Sequence, residues 1–593
     1  MILALLSPIL YIFSLVLAIS GFYFYKKSDK AFNGICWLPV TFILSMCFNA
    51  LISSLVNLIN IPVNIFTMSI FNILIGLFFW IKIVSLKRIQ KYIYFKFDII
   101  FTLILIFIVV IIASNHFGPD LQIHYETSDP SVHLKLAMDV VNTGKVSGMF
   151  FSQLNNAFIL EIFSPIVSQF SLYKIFILID VFMLFLSGFI FYALIRRYFD
   201  NKFLNIVGAI VTIVYTIGYP LNNMLFGFVY LGMSVSVIAL VIFLLDIYIN
   251  NEIENNFNLI LIMLSCLGVF LCYMLFMPVV YLSVFICIII NSIKIKQKLL
   301  IRNTFVELLI VFLIPCLLGL YYNYFQYFIN QGVDPGQAIS SEGYIYRDLF
   351  SNFVIFLPFA VYGFIAMVKN RKWNITFFVF PALIIFIGCL LSLGLNGKVS
   401  SYYYFKNYYF LWLIIFYLFF YGINYISKQS KSLIISYISI WGLLAYLSFS
   451  QIDDNVNKNA LYFDPTVKSG SFFDLFTFNT QKVYEEIPNN SEKLLLYRYV
   501  FNNIEDENQQ TGVPFVGNLG DCFWYEAITN ERVDSFYSWK LGEDIFISKL
   551  KNGDFGNYAI VLVDSDIYNK NIKLLNSYSK IFFNNSGFII KLK

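Results

Sequence analysis

The sequence predicts a polytopic α-helical membrane body of about fourteen spans, followed by a C-terminal extracytoplasmic α/β domain. Three observations carry this. The 593 residues are 59% hydrophobic and only 13% charged, with a mean hydropathy of +0.74. Soluble domains average about 25% charged residues, so soluble enzymes and disordered scaffolds are excluded. The charge is also unevenly spread. Residues 1–450 carry 26 Lys+Arg against 16 Asp+Glu, and residues 451–593 carry 14 against 19. The sign therefore changes where the last apolar run ends. Finally, apolar runs of spanning length recur along the whole first part.

Those runs fall at 2–25, 36–58, 64–85, 98–114, 171–195, 203–218, 225–248, 257–273, 275–293, 303–327, 348–368, 374–395, 402–425 and 432–450. The first lacks a basic leader and a small-residue cleavage site, so it is expected to be a retained span. Alternate loops hold 20 of the body's 26 cations and the others six: Lys135, Lys145, Lys174, Arg347, Lys398 and Lys406. The rich set is expected to face the cytoplasm. Both termini, the loop 115–170, the loop 328–347 and the tail then lie outside. The loop 249–256 fits least well, since it holds acids and no bases.

The eight cysteines form no CxxC, and the tail holds only Cys522. No internal tail disulfide or structural zinc is expected. The small net charge of +5 and the lack of a basic, aromatic-interleaved stripe argue against a nucleic-acid partner.

Chemistry concentrates in the loop 115–170. All three histidines, His116, His124 and His133, lie there with Asp120, Glu126, Asp129, Asp139 and Glu161. Their irregular spacing does not read as a metal site. A helix is expected from Asp129, with Asp129 as cap, Pro130 in its first position and Gly144 ending it. Asp129 and His133, four apart, project on one side. Val132, Leu136, Ala137, Val140 and Val141 give an apolar stripe, so the helix should lie on the outer membrane surface. One reading places an acid and an imidazole at the lipid–water boundary for chemistry. The other makes Asp129 a cap and His133 a surface residue. Spacing alone leaves both open.

Residues 396–412 pair an aromatic belt, including Tyr403 and Tyr404, with an outer-side cation, Lys406. Its ammonium could snorkel to water or bind a phosphate, and the phosphate role is preferred. The loop 328–347 carries Arg347 and reads either as a mobile cover or as an ordinary connector. Asp180, deep in a span, is expected to be a protonated helix–helix hydrogen bonder, with a proton relay as the alternative. In the tail, apolar runs at 494–500, 513–516, 558–563 and 580–592 give an α/β pattern. A buried strand is expected at 558–563, a helix at 567–578 and a hairpin around Asn584–Gly587. No GxGxxG, Walker A or nucleophile elbow assigns the tail a chemistry.

Asp129-Pro130-Ser131-Val132-His133, with Gly144 behind it, resembles the helix start in the first outer loop of the type-C (GT-C) superfamily of membrane glycosyltransferases. The resemblance covers the body from residue 98 to 450. Residues 1–97 are then additional N-terminal spans, which departs from the family's usual single span before the loop. The resemblance implies an inverting transferase of the bacterial plasma membrane, needing no metal or other cofactor. It would move a sugar from a polyprenyl-phosphate donor to a polysaccharide, glycolipid or protein acceptor outside the cell. It implies Asp129 as general base, His133 as its orienting partner, and Asp120 as the alternative base. It also implies that Lys406, with Arg347, Tyr403 and Tyr404, meets the donor's phosphate and lipid. Two rival classes stand beside it. One is a lipid-linked oligosaccharide flippase, against which the absence of similar halves counts. The other is a non-catalytic membrane scaffold.

Overall fold

The computed structural model describes residues 2–28, 30–146, 152–199, 201–295, 300–330, 332, 334–347, 351–369, 376–428, 430–449, 473–504, 513–530 and 542–592. Several sequence expectations fall outside these. They are the start of the C-terminal domain (451–472), Lys296, Lys298, Arg371 and Lys372 of the basic loops, and Gln331 and Val333 of the loop 328–347.

The body is built from helices α1 (Ile2–Phe24), α2 (Gly34–Leu58), α3 (Ile65–Leu86), α4 (Lys96–Phe117), α5 (Asp129–Thr143), α6 (Ser152–Phe163) and α7 (Leu172–Arg196). It continues with α8 (Lys202–Ile217), α9 (Tyr219–Phe226), α10 (Val229–Ile249), α11 (Asn255–Cys272), α12 (Met277–Ile295) and α13 (Leu300–Gly319). Then come α14 (Pro335–Ser340), α15 (Ser351–Val354), α16 (Leu357–Lys369), α17 (Thr376–Leu395), α18 (Ser401–Ser427) and α19 (Lys431–Phe449). Among the described residues, 12 helices are long and apolar enough to cross a membrane. The protein is a polytopic helical membrane protein. The described parts of all fourteen expected runs are helical, but two are not among the 12: the run at 348–368 yields the 13-residue α16 and the four-residue α15, and the run at 432–450 counts only as the shorter apolar stretch Lys431–Leu443. About 20 Å of helix, as α16 provides, is shorter than a bilayer core.

Position in the bundle follows composition. α10 is apolar all round, and every residue from Val229 to Tyr248 is buried, as expected of a central helix. α7 and α18 pack beside it. Peripheral helices leave large apolar side chains outward, such as Val84 of α3, 74% exposed, and Phe107 of α4. These are the surfaces a bilayer would cover.

Charged loops gather at one end. Short parallel strands β1 (Phe32–Asn33) and β2 (Tyr92–Ile93) join two of them. Asp98 accepts from Arg196 Nε at 2.8 Å and Tyr192 Oη at 2.7 Å. The acidic loop 249–256 belongs here too, because Glu252 pairs with Arg197 at 2.9 Å and Glu254 pairs with Lys27. Its acids match neighbouring cations, which explains the missing bases. The 22-residue α4 carries the chain from this end to the other, a distance of about 33 Å.

At that other end, α5 packs between α6 and the C-terminal part. The C-terminal part contains α20 (Asp474–Val483), α21 (Ser491–Asn503), α22 (Leu519–Thr529), α23 (Glu543–Asn552), α24 (Asp566–Lys570) and α25 (Ile572–Leu575). It adds β3 (Phe515–Val516), β4 (Tyr558–Leu562), β5 (Ser579–Asn584) and β6 (Gly587–Lys591) in the order β3-β4-β6-β5. β3 and β4 are parallel and the other pairs antiparallel. Alternation sends Ala559 and Val561 toward α23 and Ile560 and Leu562 toward the body. The hairpin forms where expected. Asn584 Oδ1 accepts from the Ser586 and Gly587 amides at 3.0 and 3.2 Å and sets its turn. The run 494–500 is not a strand but lies in α21. Leu496, Tyr497 and Val500 are its buried residues, a helical spacing. The expected helix at 567–578 is two short ones, α24 and α25.

Candidate active site at the start of the Asp129 helix

The loop before α5 is held on the turn between α9 and α10. Thr127 Oγ1 donates to the Phe226 carbonyl at 2.7 Å, and the Glu126 amide donates to Leu225 O at 3.0 Å. Gly227 sits at φ +70, and a Cβ there would lie 1.9 Å from Pro130 Cγ. Only glycine allows both the left-handed turn and this approach. Pro130 and a left-handed Gly144 bound the helix as expected.

Two expectations about α5 change. The N-cap position falls on Ser128, and Asp129 is already helical. Its carboxylate therefore does not cap the helix, and Oδ2 instead accepts a hydrogen bond from Tyr402 Oη at 3.2 Å. The buried face is also different from the expected stripe. Val132 is 40% exposed, while Pro130, Ser131, His133, Leu134, Ala137, Met138 and Val140 are buried. The helix is covered by protein on two sides, so of the expected stripe only Ala137 and Val140 are fully buried, Leu136 and Val141 are half-buried and Val132 is exposed.

Lys406, one turn along α18 from Tyr402, is 2% exposed and does not snorkel. Its ammonium donates to Tyr230 Oη at 2.5 Å. Four rings surround it, with centroids at 3.9 Å (Tyr402), 4.7 Å (Phe228), 4.9 Å (Tyr230) and 5.3 Å (Tyr273). Ring faces are negative, so the cage offsets part of the lost hydration, by up to about 2 kcal/mol per desolvated contact. Asp129 is the carboxylate that acts on this charge. His133, 4% exposed, lies with its ring 4.6 Å from that of Tyr230. Burial lowers its pKa to about 4, the Lys406 charge acts in the same direction, and Asp129 opposes them. His133 is therefore a neutral imidazole near pH 7.

Asp129, His133 and Lys406 thus come together, and Tyr403 lies close enough to interact with Tyr230 and Tyr273. Other expected site residues are placed differently. Asp120 is exposed in the turn after α4, where its charge acts on Tyr173. Tyr404 faces the other side of α18 and meets Tyr408 Oη at 3.0 Å. Arg347 reaches the start of α18 through Ser401 Oγ at 3.1 Å, and Glu342 pairs with it at 3.1 Å. Glu342 also accepts from the Ser401 amide at 2.9 Å, capping α18. The described part of the loop 328–347 is therefore fastened to α18, and the Gly343 backbone lies against the Tyr402 ring.

The remaining polar groups of the first loop serve other contacts. His116 and His124 stack at 4.4 Å, and His116 Nδ1 lies 3.0 Å from Lys482 O. Lys482 pairs with Glu126 at 2.9 Å. Asp180 accepts from Tyr125 Oη at 2.7 Å. Its partner is thus a loop residue rather than a neighbouring span. Sequence reading missed Tyr230, Tyr273, Phe228 and Glu342.

Chemically, the arrangement is a half-buried carboxylate in front of a buried cation. Around the ammonium, Tyr230, Phe228 and Tyr273 are buried, while Tyr402 and Tyr403 are half-buried. The approach to it is from the side of Asp129. No protein-family model matches the chain, and no curated protein matches it.

Proposed function

We propose that the protein is a membrane glycosyltransferase of the GT-C type that moves a sugar from a polyprenyl-phosphate donor to an extracytoplasmic acceptor with inversion. The observation that carries this reading is the convergence of Asp129 and Lys406, residues from two distant segments. A base and a cation side by side are what the reaction needs. Asp129 takes the proton from the acceptor hydroxyl as its oxygen attacks the anomeric carbon. The bond to the donor phosphate breaks, and Lys406 stabilises the negative charge on the departing phosphate. Neutral His133 packs behind the cage and helps hold Asp129 in place. In this reading the side bearing α5 and the C-terminal sheet is extracytoplasmic, and the bacterial plasma membrane is the site of action. The packed centre around α10 supports a transferase over a transporter, which needs a path through the bundle.

The test is sugar transfer by the purified chain from a lipid-phosphate donor. Asp129→Asn is expected to lose activity while keeping the wild-type elution profile. Wild-type-like transfer by that variant would sink the reading.

A further inference from the structure

A second polar site lies at the opposite end of the bundle, about 33 Å away along α4. The loops after α1, after α3 and between α10 and α11 line an open cavity of about 670 Å³. Its lining includes five cations, Lys26, Lys27, Lys30, Lys87 and Arg88. Two acids also line it, but both are committed: Glu254 to Lys27 and Glu252 to Arg197. Asp29, also acidic, lies outside the described residues. Among the described residues, the ammonium groups of Lys30 and Lys87 make no ion pair.

The loops are not loose basic tails. β1 pairs with β2, the Lys26 amide donates to Arg88 O at 2.9 Å, and the Glu254 amide donates to Lys27 O at 3.1 Å. Gln90 Nε2 donates to Lys30 O at 2.7 Å. Lys87 and Asn251, both on the cavity wall, hold left-handed backbones at φ 49 and φ 51. That conformation costs a lysine about 1–2 kcal/mol. A preference for basic residues on one side explains cations in these loops. It does not explain why the backbones that carry them are fastened around one concavity.

We infer that this cavity binds a phosphate-bearing anionic group, and that an anionic phospholipid headgroup is its occupant. A volume of this size is suited to a small ligand rather than a lone ion. The outward face of α3 beside it exposes Ile81, Val84 and Leu86. Acyl chains laid along that face would bring a headgroup to the level of the cations, as basic pockets at membrane-helix ends do.

The experiment uses the delipidated full chain in detergent. Retention of cardiolipin and of phosphatidylcholine is measured by native mass spectrometry, with pyrophosphate as the soluble competitor. The wild type is expected to retain cardiolipin selectively. The double variant Lys30→Gln, Lys87→Asn should bind it roughly 30-fold more weakly, about fivefold per cation. Lys30→Arg, Lys87→Arg should bind like wild type, which separates charge from folding. Cardiolipin binding that pyrophosphate does not displace assigns the site to a lipid. Tight pyrophosphate binding that the double variant loses assigns the same cations to a soluble phosphate compound. Equal cardiolipin retention by wild type and the Gln/Asn variant, or equal retention of both lipids, overturns the inference.

Discussion

Tyr402 joins Asp129 across 273 residues, donating its hydroxyl to Oδ2 at 3.2 Å. The same ring covers the Lys406 ammonium at 3.9 Å. One side chain thus orients the proposed base and closes the cation's cage. Tyr402→Phe keeps the ring and removes the donor. A hydrogen bond to a charged group is worth about 1.5–3 kcal/mol. Transfer by Tyr402→Phe is expected to fall about tenfold or more, against about 10²–10⁴-fold for Asp129→Asn. Steady-state rates with one donor check the order of the two.

Lys406→Met separates catalysis from folding. Methionine fills a similar volume among the rings without a charge to desolvate, and replacing buried ionic groups by apolar ones is often neutral or stabilising. The variant should melt at or above the wild-type temperature while losing transfer. A variant with a wild-type rate would remove Lys406 from the mechanism.

His133 gives the site an acid limit. Its folded pKa, about 4, lies below the ordinary 6.5 because burial disfavours the imidazolium. The unfolded chain then binds the proton more readily. The stability held by the neutral form is complete above pH 6.5, declines below it, and is gone near pH 4. The total is about 3 kcal/mol. Melting temperatures of wild type and His133→Gln between pH 7 and pH 4 check this, and the glutamine variant should show the shallower decline.

Gly227→Ala tests the seat of α5 without touching a chemical group. The new Cβ would meet Pro130 Cγ in a left-handed turn. Overpacking of this kind costs about 1–3 kcal/mol. A lower melting temperature and a matching fall in transfer are expected, because the start of α5 must move.

Most of the helical body was legible because a span's composition is nearly its own proof. Asp129 and His133 were legible as an i, i+4 pair between Pro130 and Gly144, and Lys406 as a cation on the sparse side. The cage was not. Phe228 and Tyr230 come from one stretch and Tyr273 from another, both far from Lys406, in a chain with 67 Phe and 41 Tyr, so three more rings carry no contrast. The capping role given to Asp129 failed because helix starts shift by a residue, and that residue decides whether the carboxylate is occupied. Leu494–Val500 stayed open between strand and helix because its apolar residues are adjacent as well as four apart, a pattern both periods accept.

The break between α8 and α9 carries one more consequence. At Gly218 the helix stops, and its freed carbonyls need donors. Trp412 Nε1 supplies one to Tyr215 O at 3.1 Å. Asn479 Nδ2 supplies Ile217 O at 2.9 Å and Gly218 O at 2.8 Å. The second donor thus arrives some 260 positions later in the chain. During synthesis this break stays incomplete until α20 emerges and docks. Gly218 O also accepts from the Asn222 amide at 3.0 Å, so a body shortened before α20 would deprive Ile217 O of its Asn479 donor. α20 is thus a clasp on this break in the helical bundle.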